Sequence, residues 1–351
     1  MVALSARAAS DNRAYQMLIG ETDYSEERGK EVFLDIDNLI DYMLINQYMG
    51  NLDWDHHNWI AFCNRDHLTQ GFRFVCWDSE NTFSSATNNV LNLNNADCPS
   101  YIFTNLMKNR CFLRRYIDRA YRHLSPGGLL TEEKAVALWD SLYNSISTAI
   151  YAESARWGDY RRDVYPSGTK QLYTVDNQYM SERNRLLTTF FPTRTGRLIS
   201  DLKAKGWYAN VTPPTFLVNG EETATDTLLR EDMLTLSGGA FMLYTSDGTD
   251  PVTWVSSSSG AKTATATTYT GENLMDALAG REGWVTLRAI LKSGNDWSPT
   301  VERRFYITSG TGLASLHASP SPQDIYDLQG RRVGMPRTGI YIAGGRKVVV
   351  R

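Results

Sequence analysis

The chain has 351 residues, a length that indicates two to three domains. Its 42% hydrophobic and 21% charged residues are typical of a globular protein and exclude a disordered or collagen-like one. A net charge of −3 leaves no global basic field for nucleic acid or an anionic membrane, and no stretch approaches the roughly 20 apolar residues of a membrane span. The first residues lack the basic and apolar regions of a signal peptide.

Helical spacing of apolar residues predicts a mainly helical domain over residues 1–206. Residues 36–45 place their apolar side chains on one helix face, and Asp35 or Asp37 is expected to cap its start. Further helices are predicted at 100–123, 131–155 and 176–205.

Two of these helices carry terminal signals. Thr131 is a plausible N-cap, because acidic residues follow it in the first turn. Pro192 is expected to end or kink the last helix, and a further helical stretch is expected to stop at Gly206.

One β-hairpin is predicted inside the helical domain, from strands at 59–63 and 71–77. Beyond residue 207 the chain is rich in Thr, Ser and Gly, and short apolar runs alternate with turns such as Asn219-Gly220 and Asp247-Gly248. This pattern predicts a small β-sandwich. The predicted units are a helical domain at 1–206, the sandwich at 207–308, a linker at 309–324 and a short β segment at 325–351.

The polar segment before the hairpin contains Asp53 and Asn58, five residues apart. The Asp and Asn of a protein-kinase catalytic loop have this spacing, in which the Asp accepts the substrate proton and the Asn helps to hold Mg²⁺. Asp78 follows the second strand, where a kinase keeps its second metal ligand. The alternative is that these residues only cap turns.

His56 and His57 lie between these residues and raise the question of a metal site. Adjacent histidines on a strand would face opposite ways, so we expect them to orient the loop by hydrogen bonds and not to share a metal.

Four cysteines, none of them in a CxxC pair, make a structural zinc site improbable. They are expected to be buried thiols, with one or two disulfides as the alternative. They are Cys63, Cys76, Cys98 and Cys111.

The motifs GNLDWDHHNW and FRFVCWDSENTF resemble the signature of the CotH kinase family, which are atypical protein kinases. FLRRY at 112–116 and ESARWG at 153–158 agree, and the resemblance covers residues 15–205. It implies ATP- and Mg²⁺-dependent phosphoryl transfer, with Mn²⁺ as an alternative ion, to hydroxyls of secreted or surface proteins.

By resemblance, Asp53 is the catalytic residue, while Asn58 and Asp78 bind the cofactor and its metal. Glu80 stands where many family members have a second acidic residue, and it is expected to assist the metal. The resemblance also implies that Arg156 is a buried structural cation.

Family members have an N-terminal lobe with a Gly-rich loop and a Lys that contacts the phosphates. Only about 50 residues precede Asp53, and they contain neither feature. We therefore expect that this chain corresponds to a C-lobe and that a lobe belongs ahead of Met1.

Residues 209–308 resemble the Fn3-like module called a chitobiase/β-hexosaminidase C-terminal-type domain, through LYTSDGTDP and VTLRAI. It is expected to be a spacer, or alternatively to stack sugar on Trp254 or Trp297. The tail, with IYDLQGRRV and GRKVVVR, resembles the sorting domains of Bacteroidetes type IX secretion. This implies an extracytoplasmic, secreted or surface-attached protein, although a basic tail alone also suits nucleic acid.

Taken together, these patterns predict an α+β multidomain protein: a mainly helical, kinase-like C-lobe with a β-hairpin, then a β-sandwich, then a β tail. The predicted function is that of an exported CotH-family kinase acting on surface or secreted proteins. The alternative is a non-catalytic surface protein for adhesion or glycan binding, with a degenerate kinase lobe.

Overall fold

Helices dominate the first 204 residues of the computed structural model, which describes residues 1–26, 29–64, 69–164, 171–222, 224–255, 259–308, 325–327, 331–334, 338–343 and 346–350. The α-helices are α1 Val2–Ala8, α2 Asn12–Leu18, α3 Ile36–Met49, α4 Pro99–Leu106, α5 Arg110–Leu124, α6 Glu132–Trp157, α7 Tyr160–Asp163, α8 Met180–Arg185 and α9 Phe191–Ala204. Two π-helical turns, Val175–Tyr179 and Leu186–Phe190, flank α8. The predicted linker at 309–324 lies outside the described residues.

Helix α3 is the central helix of this region and packs against α4, α5 and α9. Asp35 caps it, since its Oδ1 accepts the backbone N–H of Asn38 at 3.0 Å. The predicted apolar face is confirmed, because all of its members are buried: Ile36, Leu39, Ile40, Met43 and Leu44.

The helix predicted at 100–123 is in fact two helices, α4 and α5. The break comes from Asn109, whose Oδ1 accepts the N–H groups of Cys111 and Phe112 at 2.9 and 3.4 Å. A side chain that caps a new first turn competes with continuation of the old helix. Asn109 also donates from Nδ2 to the carbonyl of Ala8 at 2.9 Å, which fixes α1 to the break.

Two terminal signals act differently from the prediction. Thr131 occupies the N-cap position of α6, but its hydroxyl donates to the carbonyl of Gly128 at 2.7 Å and makes no side-chain cap. Pro192 lies in the first turn of α9, where its missing N–H costs little, and the π-helical turn Leu186–Phe190 directly precedes this helix, so the helix type changes here although the helix does not end. The helical end is close to the prediction, with Gly206 at φ +70° after Ala204.

The predicted hairpin is confirmed by two antiparallel strands, β1 Trp59–Phe62 and β2 Arg73–Cys76, with Trp59 opposite Cys76. One face packs on α3 through Phe74, whose ring lies 5.6 Å from that of Tyr42. The hairpin therefore lies along α3, with Arg73 at the Asp35 cap and Cys76 beside Asn46.

Strands replace helices after residue 214. They are β3 Thr215–Val218, β4 Thr227–Leu229, β5 Leu234–Ser237, β6 Phe241–Thr245, β7 Val252–Thr253, β8 Ala261–Lys262, β9 Thr267–Tyr269, β10 Gly283–Ser293, β11 Asp296–Trp297 and β12 Val301–Thr308. The main sheet has the order β4-β12-β10-β6-β9, with β11 beside β10, and the pair β3–β5 shares one apolar core with it. The protein is therefore a mixed α+β protein, as predicted.

The tail contains three short antiparallel strands in the order β13-β14-β15, as the sequence pattern predicts. They are β13 Ile325–Tyr326, β14 Gly339–Ala343 and β15 Arg346–Val350.

Helix α5 contacts the β module through an Arg and an Asp one turn apart. Arg114 donates from Nη2 to the carbonyl of Ser298 at 2.6 Å, and its guanidinium lies 4.7 Å from the centre of the Trp254 ring. Asp118 accepts the backbone N–H of Thr300 at 2.9 Å. We call this set of contacts the seam.

The tryptophans proposed for sugar stacking are already engaged. Trp297 is buried, and Trp254 is half-buried with Arg114 over its ring. The structure therefore leaves neither indole as an open platform.

All four cysteines lie in the described part of the chain, and each is a free thiol. The prediction of burial holds only for Cys98, whereas Cys76 is exposed and Cys63 and Cys111 are half-buried. The alternative of disulfides is not found.

Candidate functional site

The polar loop 50–58 begins with a sharp change of direction at the end of α3. Gly50 has φ +59°, a left-handed conformation that terminates the helix. A Cβ at this position would lie 2.9 Å from the Cβ of Asn88, so glycine is required for both backbone conformation and space.

Buried residues fix the turn in the middle of this loop. Trp54 is almost fully buried and packs edge-on against Tyr42 at 5.6 Å between ring centres. The buried carboxylate of Asp55 accepts the N–H of Ser100 at 3.0 Å and the amide of Asn95 at 2.6 Å. Our sequence analysis missed Asp55, which anchors the loop to the start of α4.

Asp53 directly precedes these two buried residues, and each of its carboxylate oxygens has a neighbouring side chain. Its Oδ2 accepts from Asn81 Nδ2 at 3.0 Å, and its Oδ1 lies 3.2 Å from His57 Nε2. The side chain is 31% exposed, so the carboxylate is oriented and still reachable from solvent. Asn81 was also missed, although it stands in the WDSEN motif.

Asn58 joins the loop to the end of the hairpin. Its Nδ2 donates to the main-chain carbonyls of Asp53 at 2.6 Å and Asp78 at 3.4 Å. Asp53, Asn58 and Asp78 are thereby brought together in one place, although they are separated by up to 25 residues in the sequence.

Asp78 and Glu80, just after the hairpin, are both exposed. Asp78 lies two residues after the end of β2 and has φ +50°, a left-handed conformation that Asp tolerates better than most residues. Glu80 Oε1 accepts from Asn81 Nδ2 at 3.2 Å. Asn81 therefore connects Glu80 to Asp53, whereas Asn58 connects Asp53 to Asp78 through their main-chain carbonyls.

The expectation that His56 and His57 face opposite ways is wrong. Both lie in the turn before β1 and not on a strand. Their rings are 4.0 Å apart between centres, and their Nε2 atoms lie 4.0 and 3.2 Å from Asp53 Oδ1, respectively. A bend carries neighbouring side chains to the same side, whereas a strand alternates them.

The buried cation of this region is Arg194 and not Arg156. Arg156 is exposed, with its guanidinium over the Trp157 ring. Arg194 is 1% exposed and donates to the carbonyls of Gln47, Tyr48 and Ala86. Burial lowers its pKa to about 10.

Arg194 satisfies carbonyls in the last turn of α3, where a helix has no internal donors to offer. It thereby fixes the end of the helix from which the loop 50–58 departs. The sequence around Arg194 predicts only a helix, so it does not indicate that this Arg is buried against the end of α3.

The outer face of the hairpin is mostly apolar and open, with the exposed Arg73 opposite Phe62 at one end. Pairing places Ile60 opposite Val75. Four exposed apolar side chains form a surface next to Asp78. We call this surface the hairpin face, and its residues are Ile60, Phe62, Val75 and Trp77.

None of the helices in the described ranges is long and apolar enough to cross a membrane.

Comparison with curated proteins and with solved structures finds no match. The family model described as CotH kinase protein matches residues 12–194, just over half of the 351-residue chain, and this span includes the whole polar cluster. The chain belongs to the CotH kinase family, and it is thus an atypical kinase-like protein.

Proposed function

We propose that this protein transfers a phosphoryl group from ATP to a hydroxyl group of a protein acceptor. The observation that carries the proposal is the Asn58 amide, which donates to the main-chain carbonyls of both Asp53 and Asp78 and so holds these two acidic residues next to each other. Phosphoryl transfer needs such an arrangement, since its catalysis rests on positioning and on charge stabilisation.

Asp53 is proposed as the general base. With Oδ2 held by Asn81, the carboxylate keeps one orientation, and its exposure lets an acceptor hydroxyl approach. A base that is positioned in advance accepts the proton without first reorganising. His57 supports the same orientation from the Oδ1 side.

The donor set of Asn58, Asp78 and Glu80 fits a hard divalent cation. The Nδ2 of Asn58 is bonded to carbonyls, so Oδ1 is the amide atom that serves as a ligand, and the two carboxylates are exposed. Mg²⁺ prefers such oxygen ligands, and Mn²⁺ accepts them as well. The cation would neutralise charge on the ATP phosphates.

The hairpin face is proposed to receive the nucleotide base. It is apolar, exposed and continuous with Asp78, which follows Trp77 directly. A flat aromatic base buries its faces favourably on such a surface.

We further propose that the acceptors are secreted or surface proteins outside the cytoplasm. The support is the tail, whose motifs IYDLQGRRV and GRKVVVR resemble those of secretion sorting domains and whose strands β13 to β15 form one antiparallel sheet. Protease treatment of intact cells that express the gene checks it, because a surface-attached chain is then cleaved while cytoplasmic proteins survive.

The central test is incubation of the purified chain with γ-labelled ATP and Mg²⁺ or Mn²⁺, with label read in the chain and in added dephosphorylated proteins. Asp53→Asn and Asp78→Asn are each expected to reduce labelling by roughly 100-fold or more. Asp97→Asn is the matched control, since Asp97 is also exposed with positive φ, at +59°. Equal labelling by wild type and Asp78→Asn contradicts the proposal. Absence of labelling by the wild type with either ion favours the non-catalytic alternative.

A further inference from the structure

The two imidazoles beside Asp53 form a cluster whose chemistry differs from that of the oxygen donors around Asp78. Asp53, His56 and His57 each offer one ligand atom, and the three atoms lie within 4.8 Å of one another. We propose that these three residues bind a divalent transition-metal ion of the Zn²⁺ type.

The distances suit such an ion. Zinc bonds to nitrogen and oxygen are about 2.0–2.2 Å long, which separates tetrahedral ligand atoms by roughly 3.3 Å. His57 Nε2 and Asp53 Oδ1 are 3.2 Å apart and already have this separation. His56 Nε2 lies 4.0 Å from the same oxygen, so it needs a shift of less than about 1 Å, which an exposed side chain makes freely.

The backbone that carries the histidines is held in place before any ion binds. The N–H of Asn58 donates to the Trp54 carbonyl at 3.1 Å, and the N–H of Trp59 donates to the His57 carbonyl at 3.0 Å. Buried Trp54 and Asp55 fix the start of the same turn. An ion therefore has to order only two side-chain rotamers, which keeps the entropic cost of binding low.

The carboxylate is positioned in the same way. Asn81 holds Oδ2 of Asp53, which leaves Oδ1 directed at the two imidazoles. Outer hydrogen bonds of this kind orient metal ligands and increase metal affinity.

Ligand type separates this site from the proposed Mg²⁺ set. Imidazole favours zinc, copper, nickel and iron, whereas Mg²⁺ takes oxygen ligands. Two histidines and one carboxylate with open positions form a donor set of the kind that holds zinc. A bound ion would also occupy the carboxylate proposed as the general base and block transfer. That consequence rests on the proposed function, but the binding itself does not.

The test is calorimetric titration of the nucleotide-free chain with ZnCl₂, after accessible thiols have been alkylated under native conditions. We expect wild type to bind one equivalent that the His56→Gln/His57→Gln double variant loses. Asn81→Ala is expected to weaken binding by roughly 10–100-fold, because it removes the hydrogen bond that orients the Asp53 carboxylate and leaves the three ligands in place.

His123→Gln is the matched control. His123 Nε2 lies 3.3 Å from Asp41 Oδ1, so it is also a His–Asp pair, but it is not part of the three-residue cluster. This variant should keep the bound equivalent. The proposal is overturned if wild type binds no Zn²⁺, or if the double variant binds it as tightly as wild type. Because no ATP is present, this result is separate from the outcome of the phosphoryl-transfer test.

Discussion

The helical region buries more polar residues than the β module does. Of the twelve buried polar residues in the described part of the chain, ten lie before residue 207 and two lie in the module. The ten are Ser5, Asn46, Gln47, Asn51, Asp55, Asn58, Ser100, Asn105, Asn109 and Arg194, and the two are Thr245 and Ser298.

Several of these polar groups form a chain that supports the loop. Asn51 donates from Nδ2 to Asn46 Oδ1 at 3.0 Å and accepts the N–H of Asp53 at 3.1 Å. Buried polar groups need such partners, which also fix a single arrangement. The β module has to hold only its own sheets, and apolar packing is sufficient for that. Part of the buried polarity of the helical region therefore supports the loop that carries the site.

The largest effect is expected for Arg194→Ala. This change removes the guanidinium donor from the carbonyls of Tyr48 and Ala86, and it leaves the Gln47 carbonyl with only the N–H of Gly50. We expect the free energy of unfolding of the helical region to fall by about 3–5 kcal/mol, as measured by urea denaturation with far-ultraviolet circular dichroism. Arg197→Ala on the same helix is the control, since Arg197 is exposed and pairs only with Asp201. If both variants lose a similar amount of unfolding free energy, the buried hydrogen bonds of Arg194 are not the cause of the loss.

The next effect is expected in the β module, where the interior is apolar. Leu287 on β10 is fully buried in the module core. Leu287→Ala removes apolar contacts and leaves a cavity, so the module should lose about 2–4 kcal/mol of stability. Intrinsic tryptophan fluorescence during urea denaturation measures it. Met233→Ala should change stability by less than about 0.5 kcal/mol, because Met233 is exposed. If Leu287→Ala shifts the unfolding of the helical region as well, the two regions unfold as one cooperative unit, and their interiors cannot be treated as separate.

The smallest effect is expected at the seam, where the two regions meet, and it depends on pH. Burial raises the pKa of Asp118 to about 6, from an ordinary value of 3.8. The folded state therefore binds more protons than the unfolded state between about pH 4 and 6. Stability from this group is present at low pH and is lost as pH rises through this window.

Asp118→Asn keeps an oxygen that accepts the Thr300 N–H but removes the titration. Relative to wild type, the variant should gain about 1–3 kcal/mol between pH 4 and 7, a range that allows for the partial exposure of Asp118 and for the nearby Arg114. Other carboxylates titrate equally in both proteins, so their contributions cancel in this difference. Asp37 is one of them: burial raises its pKa, but the hydrogen bond and charge of Arg115 outweigh burial and bring the pKa below its usual value. A difference that does not change with pH would contradict the burial of Asp118.

Local sequence patterns predicted the elements that depend on neighbouring residues. The buried face of α3, its cap at Asp35, the hairpin and the strands around Leu287 follow from periodicity and capping, which act within a few residues. Asn109 also acts locally and interrupts a helix that periodicity alone makes continuous. The sequence likewise carried the spacing of Asp53 and Asn58, which led to the family.

Contacts between distant parts of the chain decided the rest. Arg194 reaches carbonyls about 146 residues earlier, and Asn81 reaches Asp53 across 28 residues. The turn that places both histidines beside one carboxylate depends on Asp55, which is fixed by Ser100. No local pattern encodes such pairs, because burial and hydrogen-bond satisfaction select them only when the helices and the hairpin have packed. The sequence by itself determined which chemical groups the site contains, and the tertiary structure decided how they face one another.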